Sequence, residues 1–248
     1  MNVSLYEAAA AMNANAHWQE AIAENLSANF IPGFKKTDVS FGAMQSGALL
    51  PGANASNQQM AAMPTLSTST NFSAGEMKST GVPTDVAIDG RGFFEVQLPD
   101  GGRAYTRDGE FHISPAGQLV TKEGYGLVSE GGAMQFDQNN SAPLSISANG
   151  DVSQGGDRKG RIKLADFSDP QLLTNMGSGY FLANANVMPT DATGATVRQG
   201  YLEAGNTSSV AEMTSLITAL RMYEANQKVI VAQDERMTRA IADLGNPS

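Results

Sequence analysis

The stretch Ser209–Gly245, SVAEMTSLITALRMYEANQKVIVAQDERMTRAIADLG, decides the architecture. From Val210 to Leu244 it contains neither Gly nor Pro, and Gly245 with Pro247 makes a stop signal. Ser209 followed by Glu212 reads as a capping box, in which each side chain satisfies a free backbone N–H of the first turn. The pattern predicts a helix over 210–244, roughly 50 Å long at about 1.5 Å per residue. That length exceeds an ordinary globular helix and points to a coiled-coil or bundle role. Two columns recur every seven residues. One is Met213, Leu220, Gln227, Asp234 and Ile241; the other is Leu216, Tyr223, Ile230, Met237 and Leu244. Glu224 with Lys228 and Glu235 with Arg239 are i,i+4 pairs that suit the solvated side.

The N-terminus repeats the pattern in a shorter form. Ser4 and Glu7 form a second capping box, and no Gly or Pro follows until Pro32 and Gly33. Leu5, Met12, Gln19 and Leu26 recur every seven, beside Ala9, Ala16 and Ala23. A helix is expected over 5–28, with an alanine seam that lets a neighbouring helix approach closely. The two helices differ in length, so a plain hairpin would leave part of the longer apolar stripe uncovered. Gln227 and Asp234 at core-type positions indicate register-setting contacts or a watered interior surface. The expectation is packing between subunits, with part of each stripe pairing within the chain.

Between the helices the composition changes. Val39 to Gly75 contains no charged residue and is dominated by small, amide and Met side chains. It reads as an extended segment with little core of its own, suited to lie against another protein surface. From about Thr84 to Glu203 short apolar alternations are separated by Asp89-Gly90, Asp100-Gly101, Asp108-Gly109 and Asn149-Gly150. Strands are expected over 85–88, 93–98, 103–106, 110–113, 118–121, 126–128, 144–147, 161–167, 180–182 and 196–203. Asp169-Pro170 starts a short helix. The expected fold class is α+β: long N- and C-terminal amphipathic helices form a coiled-coil-like core domain, with a central antiparallel β-rich domain between them in sequence. The divisions fall at 1–38, 39–80, 81–205 and 206–248.

Composition removes most chemistries. The 248 residues carry 16 Lys+Arg and 25 Asp+Glu, a net charge of −9, with no Cys and 2 His. Thiolate zinc sites, iron–sulfur clusters and Cys nucleophiles are excluded. The acidic balance argues against nucleic acid. There is no G-x-x-x-x-G-K-[ST], H-E-x-x-H or G-x-S-x-G. Asp85 and Asp89 flank a short strand, where Asp serves turns better than catalysis. His17 reads as a helix-surface residue, His112 as solvent-facing, and Trp18 as core or interface. No catalytic, cofactor or metal residue is expected. Ala8–Met12 and Val229–Ala232, the longest apolar runs, are too short to span a bilayer. The first residues lack the basic region of a cleaved signal peptide.

Four stretches, in order along nearly the whole chain, are similar to the signatures of a known family. They are Glu24-Asn25-Leu26-Ser27-Ala28-Asn29 through Pro32-Gly33-Phe34-Lys35; Thr80-Gly81-Val82-Pro83-Thr84-Asp85-Val86-Ala87-Ile88-Asp89-Gly90-Arg91-Gly92-Phe93-Phe94; Tyr105-Thr106-Arg107-Asp108-Gly109-Glu110-Phe111 with Gly117-Gln118-Leu119-Val120-Thr121 and Gly124-Tyr125; and Gly200-Tyr201-Leu202-Glu203-Ala204-Gly205-Asn206 with Glu212-Met213 and Arg221 to Lys228. The chain resembles the flagellar basal-body rod and hook proteins, of the FlgF/FlgG type. Thr84, Phe30-Ile31 and Gly205 depart from the family pattern. The compact length and short central insert favour the proximal, FlgF-like rod over the distal, FlgG-like rod.

The resemblance implies a non-enzymatic subunit of the basal-body rod, which crosses the periplasm as a tube, transmits torque and encloses the export channel. It implies delivery by the flagellar type III export apparatus without a cleaved signal. The partners would be copies of itself and other axial proteins, with no nucleic acid and no membrane span. The interface residues expected on this basis are Leu5, Met12, Ile22, Leu26, Met213, Leu216, Leu220, Tyr223, Ile230 and Met237. Asn25, Asn29 and Gly33 would fix the first helix end and the turn after it. Gly81, Pro83, Gly90 and Gly92 would shape the entry into the β domain. Deleting 1–30 or 210–248 should leave a folded β domain that cannot assemble. The alternatives are a distal rod or hook-type protein of the same family, or a secreted β-domain enzyme with helical oligomerisation arms.

Overall fold

The computed structural model describes residues 3–46, 61–132, 134–137, 142–184 and 187–245. It is α+β, with a helix at each end and β structure between. Helix α1 is Val3–Ser27, followed by a 3-10 turn at Ala28–Phe30. Strands then run β1 Thr37–Ser46, β2 Ala61–Thr70, β3 Met77–Ser79, β4 Val86–Asp89, β5 Phe93–Gln97, β6 Arg103–Thr106, β7 His112–Ile113, β8 Leu119–Val120, β9 Gly126–Leu127 and β10 Ser129–Glu130. They continue as β11 Leu144–Ile146, β12 Asp151–Gln154, β13 Asp157–Ile162, β14 Leu164–Asp166, β15 Thr174–Gly177, β16 Tyr180–Leu182, β17 Thr190–Asp191, β18 Thr196–Gln199 and β19 Tyr201–Glu203, before helix α2 at Ser209–Gly245.

Two compact units divide the chain. The helical unit comprises Met1–Ser27, Thr37–Ser69 and Ser208–Ser248; the β unit comprises Ala28–Lys36 and Thr70–Thr207. The β unit therefore starts earlier than the expected boundary at 81, because it recruits the turn after α1. The uncharged segment was expected to run as a connector over 39–80. Its described parts up to Thr70 instead pair as the two-stranded sheet β1–β2, with the Ser40 and Ser67 hydroxyls 2.7 Å apart, and Met77–Ser79 pairs with β19. Residues 47–60 of that segment lie outside the described residues.

The β unit is antiparallel throughout its described pairings. The main sheet runs β15-β16-β6-β5-β9-β8-β7, with β14 and β17 joined at β5, and a four-stranded sheet runs β10-β13-β12-β11. Two small ladders close the unit: β4 pairs with β18 and β3 pairs with β19. Alternation along β5 explains why both faces of the main sheet are covered. Phe94 and Val96 point into a core with Val86, Ile88, Phe111, Val152, Ile162, Tyr180 and Val197. Phe93, one residue out of phase, joins Tyr105, Phe167, Leu173 and Phe181 on the other side. Each large apolar side chain so buried contributes roughly 1.5–3 kcal/mol. Glu95 shares that strand yet is fully buried, and it is neutralised by Arg103 and by Lys163 at 3.0 Å.

In the helical unit α1 packs along α2 and touches β1, where Trp18 meets Phe41 edge-on at 5.4 Å. The inward column of α1 differs from the expected seam. Ala9 and Ala23 are exposed, whereas Ala8, Asn15 and Ile22 are buried, with Ala14 and Ala21 beside them. Several columns of α1 have helical spacing, and the buried one includes a polar Asn that a search for apolar residues passes over. The α2 cap also differs by one residue. The first helical hydrogen bond runs from the Glu212 N–H to the Ser208 carbonyl at 2.9 Å, so Ser208 rather than Ser209 is the cap. Among the described residues no helix is long and apolar enough to cross a membrane.

Candidate functional site

Within the β unit, the segment that follows α1 and the segment that precedes α2 meet in a buried charged cluster. The Lys35 ammonium donates to Glu203 Oε1 at 2.5 Å and to the Ser73 carbonyl at 2.8 Å. Glu203 Oε1 also accepts from the Gly75 N–H at 2.8 Å, and Oε2 accepts from Arg107 Nη1 at 3.1 Å. Arg107 Nη2 donates to the Gly90 carbonyl at 2.7 Å, and its guanidinium lies 5.5 Å from the Phe93 ring centroid. The Lys35 and Glu203 side chains are each 1% exposed. Burial pulls the Lys35 ammonium below its ordinary pKa, against the upward pull of Glu203.

Backbone and amide bonds hold the same two segments together. The Gly33 N–H donates to the Glu203 carbonyl at 2.6 Å, and the Asn206 N–H donates to the Phe34 carbonyl at 3.2 Å. Asn206 Oδ1 accepts from the Lys36 N–H at 2.8 Å while Nδ2 donates to the Asn71 carbonyl at 2.7 Å. Two glycines make the approach possible. A Cβ on Gly33, at φ +65°, would stand 2.3 Å from the Arg107 carbonyl carbon, and one on Gly75 would stand 1.9 Å from the Ala204 oxygen.

The turn residues expected from the sequence fall at or near this junction. Asn29 Oδ1 accepts from the Thr207 hydroxyl at 2.9 Å. The Gly81 N–H donates to the Gly200 carbonyl at 3.2 Å, and the Pro83 carbonyl accepts from Gln199 Nε2 at 2.7 Å. Gly90 supplies the carbonyl held by Arg107, and Gly92 packs its backbone against Ala192. Asn25 does its work in the helical unit: its buried amide donates to the Thr37 carbonyl at 2.9 Å and accepts from the Thr37 N–H at 2.8 Å. Lys35, Arg107, Glu203 and Asn206 were not singled out as site residues. All four sit inside the signature stretches, and a lone charge closing an otherwise uncharged strand end, as at Glu203, was the available signal.

The expected interface residues separate into two groups. Ile22 is 2% exposed and Leu216, Tyr223 and Ile230 are half-buried, on the side where α1 and α2 pack. Met12 and Leu26 are also half-buried. Met213 is 52% exposed and Leu220 46%, and Ile217 extends the same face; Met237 is exposed farther along α2. The side chain of Leu5 lies outside the described residues.

The titratable groups offer no catalytic arrangement. Burial pushes the Asp108 carboxyl up to about 7, partly offset by the Glu110 N–H that it accepts. Burial and its bond to Glu123 raise the Tyr180 hydroxyl. His17 is exposed beside Glu20 at 3.0 Å, and His112 is exposed. Asp89 is paired with Arg198 at 2.6 Å. Among the described residues no group of three or more His, Asp or Glu side chains could hold a metal ion.

Each of the four signature stretches thus supplies a residue to this junction, namely Lys35, Gly90, Arg107 and Glu203, and comparison with known proteins identifies the family. Residues 87–154 match the family described as flagellar hook protein FlgE/F/G D1 domain, and residues 198–243 match the flagellar basal body rod FlgEFG protein C-terminal family. The chain is 38% identical over 175 residues to the flagellar basal-body rod protein FlgF of Caulobacter vibrioides, covering 71% of each. It is 33% identical over 253 residues to FlgG of Borreliella burgdorferi, covering 94% of this chain and 96% of that one. It is 30% identical to FlgF of Mesorhizobium japonicum over 250 residues, covering 100% of both. The chain belongs to the FlgF/FlgG type of flagellar basal-body rod protein, and it is a structural subunit of that rod rather than an enzyme.

Proposed function

We propose that the chain self-assembles into the proximal, FlgF-like part of the rod, a tube that crosses the periplasm, transmits torque and encloses the export channel. The terminal helices form its coiled-coil-like core. The flagellar type III apparatus delivers the chain, and its neighbours are further copies and other axial proteins. The full-length match to a FlgF relative, with 100% coverage of both chains, supports the proximal assignment. A distal, FlgG-like position is the second reading, favoured by the 33% identity to a FlgG over 94% of the chain.

The exposed apolar face of α2 carries the proposal. Val210, Met213, Ile217 and Leu220 line the first three turns on a side away from Ala219, which is fully buried. Ile22, Leu216, Tyr223 and Ile230 serve the pairing of α1 with α2 within one chain. Met213, Leu220 and Met237 contact neighbouring subunits, and Leu5, Met12 and Leu26 extend those contacts from α1. The test is complementation of strains lacking FlgF or FlgG with the wild-type chain and with Met213→Ser/Leu220→Ser. Wild type should restore swimming in the FlgF-deficient strain, and the double variant should be exported but leave rods incomplete. Normal swimming of the double variant would reject the interface. Rescue of the FlgG-deficient strain alone would move the chain to the distal rod.

A further inference from the structure

We propose that the Lys35–Glu203–Arg107 cluster is a closure latch: the β unit becomes stable as a whole only when the segment at 200–207 docks, and until then the preceding strands stay open. Three observations carry this.

First, the cluster joins distant parts of the chain. Lys35 and Glu203 are 168 residues apart and Arg107 and Glu203 are 96 apart. Without Glu203, two cations would stand in a buried site with only carbonyl acceptors, those of Ser73, Ile88 and Gly90. Arg107 Nε already lacks a partner. Asp166 attracts Arg107 more weakly than Glu203 does, and the counter-charge of Lys35 is Glu203, so without Glu203 the desolvated cations are poorly compensated and the unit resists closing.

Second, the earliest core strand depends on the latest ones. β4 places Val86 and Ile88 in the main core, and its ladder partner is β18, where Val197 covers them. β3 pairs with β19. The Gly200 carbonyl accepts from the Thr80 and Gly81 N–H groups, and the Gly200 N–H donates to the Asp85 carbonyl at 2.8 Å. These long-range contacts reward the chain only after the loop-closure entropy has been met.

Third, the latch backbone has no slack. Gly33 and Gly75 both lie where a methyl group would collide with main-chain atoms, and the Gly75 N–H is one of the donors to Glu203. The site therefore closes completely or not at all. A chain delivered N-terminus first, by synthesis or by threading, keeps its β unit open until residue 207 is available.

Native-state hydrogen exchange on the full-length protein tests this. Glu203→Gln keeps the Gly75 acceptor and removes the charge. It should reduce protection of the β5 and β6 amides by about two to three orders of magnitude, the same factor as at 33–36 and 201–206. Lys35→Met in the Glu203→Gln background should recover at least about tenfold of that loss, although Lys35→Met alone is destabilising. Loss confined to 33–36, 73–76 and 200–206, with β5 and β6 unchanged, would overturn the proposal. Additive loss in the double variant would overturn it too. A Glu203→Gln protein with no folded population counts as the expected global loss when the double variant folds, and as refutation when it does not. Neither readout involves assembly or motility, so the result is separate from the test of the rod position.

Discussion

The two units are built in opposite senses. In the β unit, charges lie inside with partners: Lys35 and Arg107 on Glu203, Arg103 and Lys163 on Glu95. In the helical unit, Met213, Ile217 and Leu220 face outward along one side of α2. Each unit keeps two buried polar atoms without a hydrogen-bond partner, Glu95 Oε2 and Arg107 Nε in the β unit and Asn15 Oδ1 and Gln19 Nε2 in the helical unit, but those of the β unit belong to side chains already held in ion pairs. The first arrangement compensates its buried charge within its own chain. The second is that of a surface completed by something else, since a continuous exposed apolar face is a cost that a partner can remove.

The contrast can be broken at defined points. Gly33→Ala should have the largest effect, because its φ of +65° and a 2.3 Å approach to the Arg107 carbonyl carbon leave no relaxed solution. A loss above about 3 kcal/mol is expected in urea unfolding of the β unit. A loss below about 1 kcal/mol would show that the junction tolerates movement and is not a rigid closure.

Asp108 comes next. Its folded carboxyl sits near 7, above the unfolded value of 3.8, so its contribution to stability is complete below 3.8 and is lost as pH rises through about 7. Asp108→Asn retains the acceptor for the Glu110 N–H and removes the charge. It should flatten the pH profile and stabilise the protein by at most about 4 kcal/mol at pH 8. Thermal melts of both proteins from pH 4 to 8 would show parallel curves if the group is irrelevant.

Asn15→Leu replaces a buried, unmet acceptor by apolar volume and should stabilise the helical unit by about 1 kcal/mol. Destabilisation would mean that the polar position is satisfied and the contrast between the units weaker. Leu220→Ser should change stability least, by less than about 0.5 kcal/mol, because the side chain is 46% exposed. Its effect should fall on swimming. Truncation obeys the same logic. The β unit begins at Ala28 and holds Asn29 against Thr207, so the cut that spares it lies after Ser27 rather than after residue 30.

Much of the fold was legible because it is local. Pro32 with Gly33 ended α1 and a run free of Gly and Pro carried α2, and both helices lie within two residues of their expected ends. The Asp-Gly turns bounded β4, β5 and β6 correctly. The strands β1 and β2 were not legible, since a nearly charge-free sequence without clear alternation has no preferred state until a partner strand supplies its hydrogen bonds. The seam of α1 was misplaced for a related reason. Ala9, Ala16 and Ala23 satisfy helical spacing as well as Ala8, Asn15 and Ile22, and only packing chooses between them.

By itself the sequence determined both helices and the strands between the Asp-Gly turns, the absence of thiol chemistry and the family signatures, because composition, turn chemistry and periodicity act over a few residues. The tertiary structure alone decided that Lys35, Arg107 and Glu203 form one buried cluster and that α2 turns Leu216, Tyr223 and Ile230 inward and Met213 and Leu220 outward. Beyond the isolation of Glu203 at an uncharged strand end, these charges carry no sign of burial in their neighbours along the chain. The partner of Lys35 lies 168 residues away, and the free energy that holds the pair is realised only when the two strands are brought together.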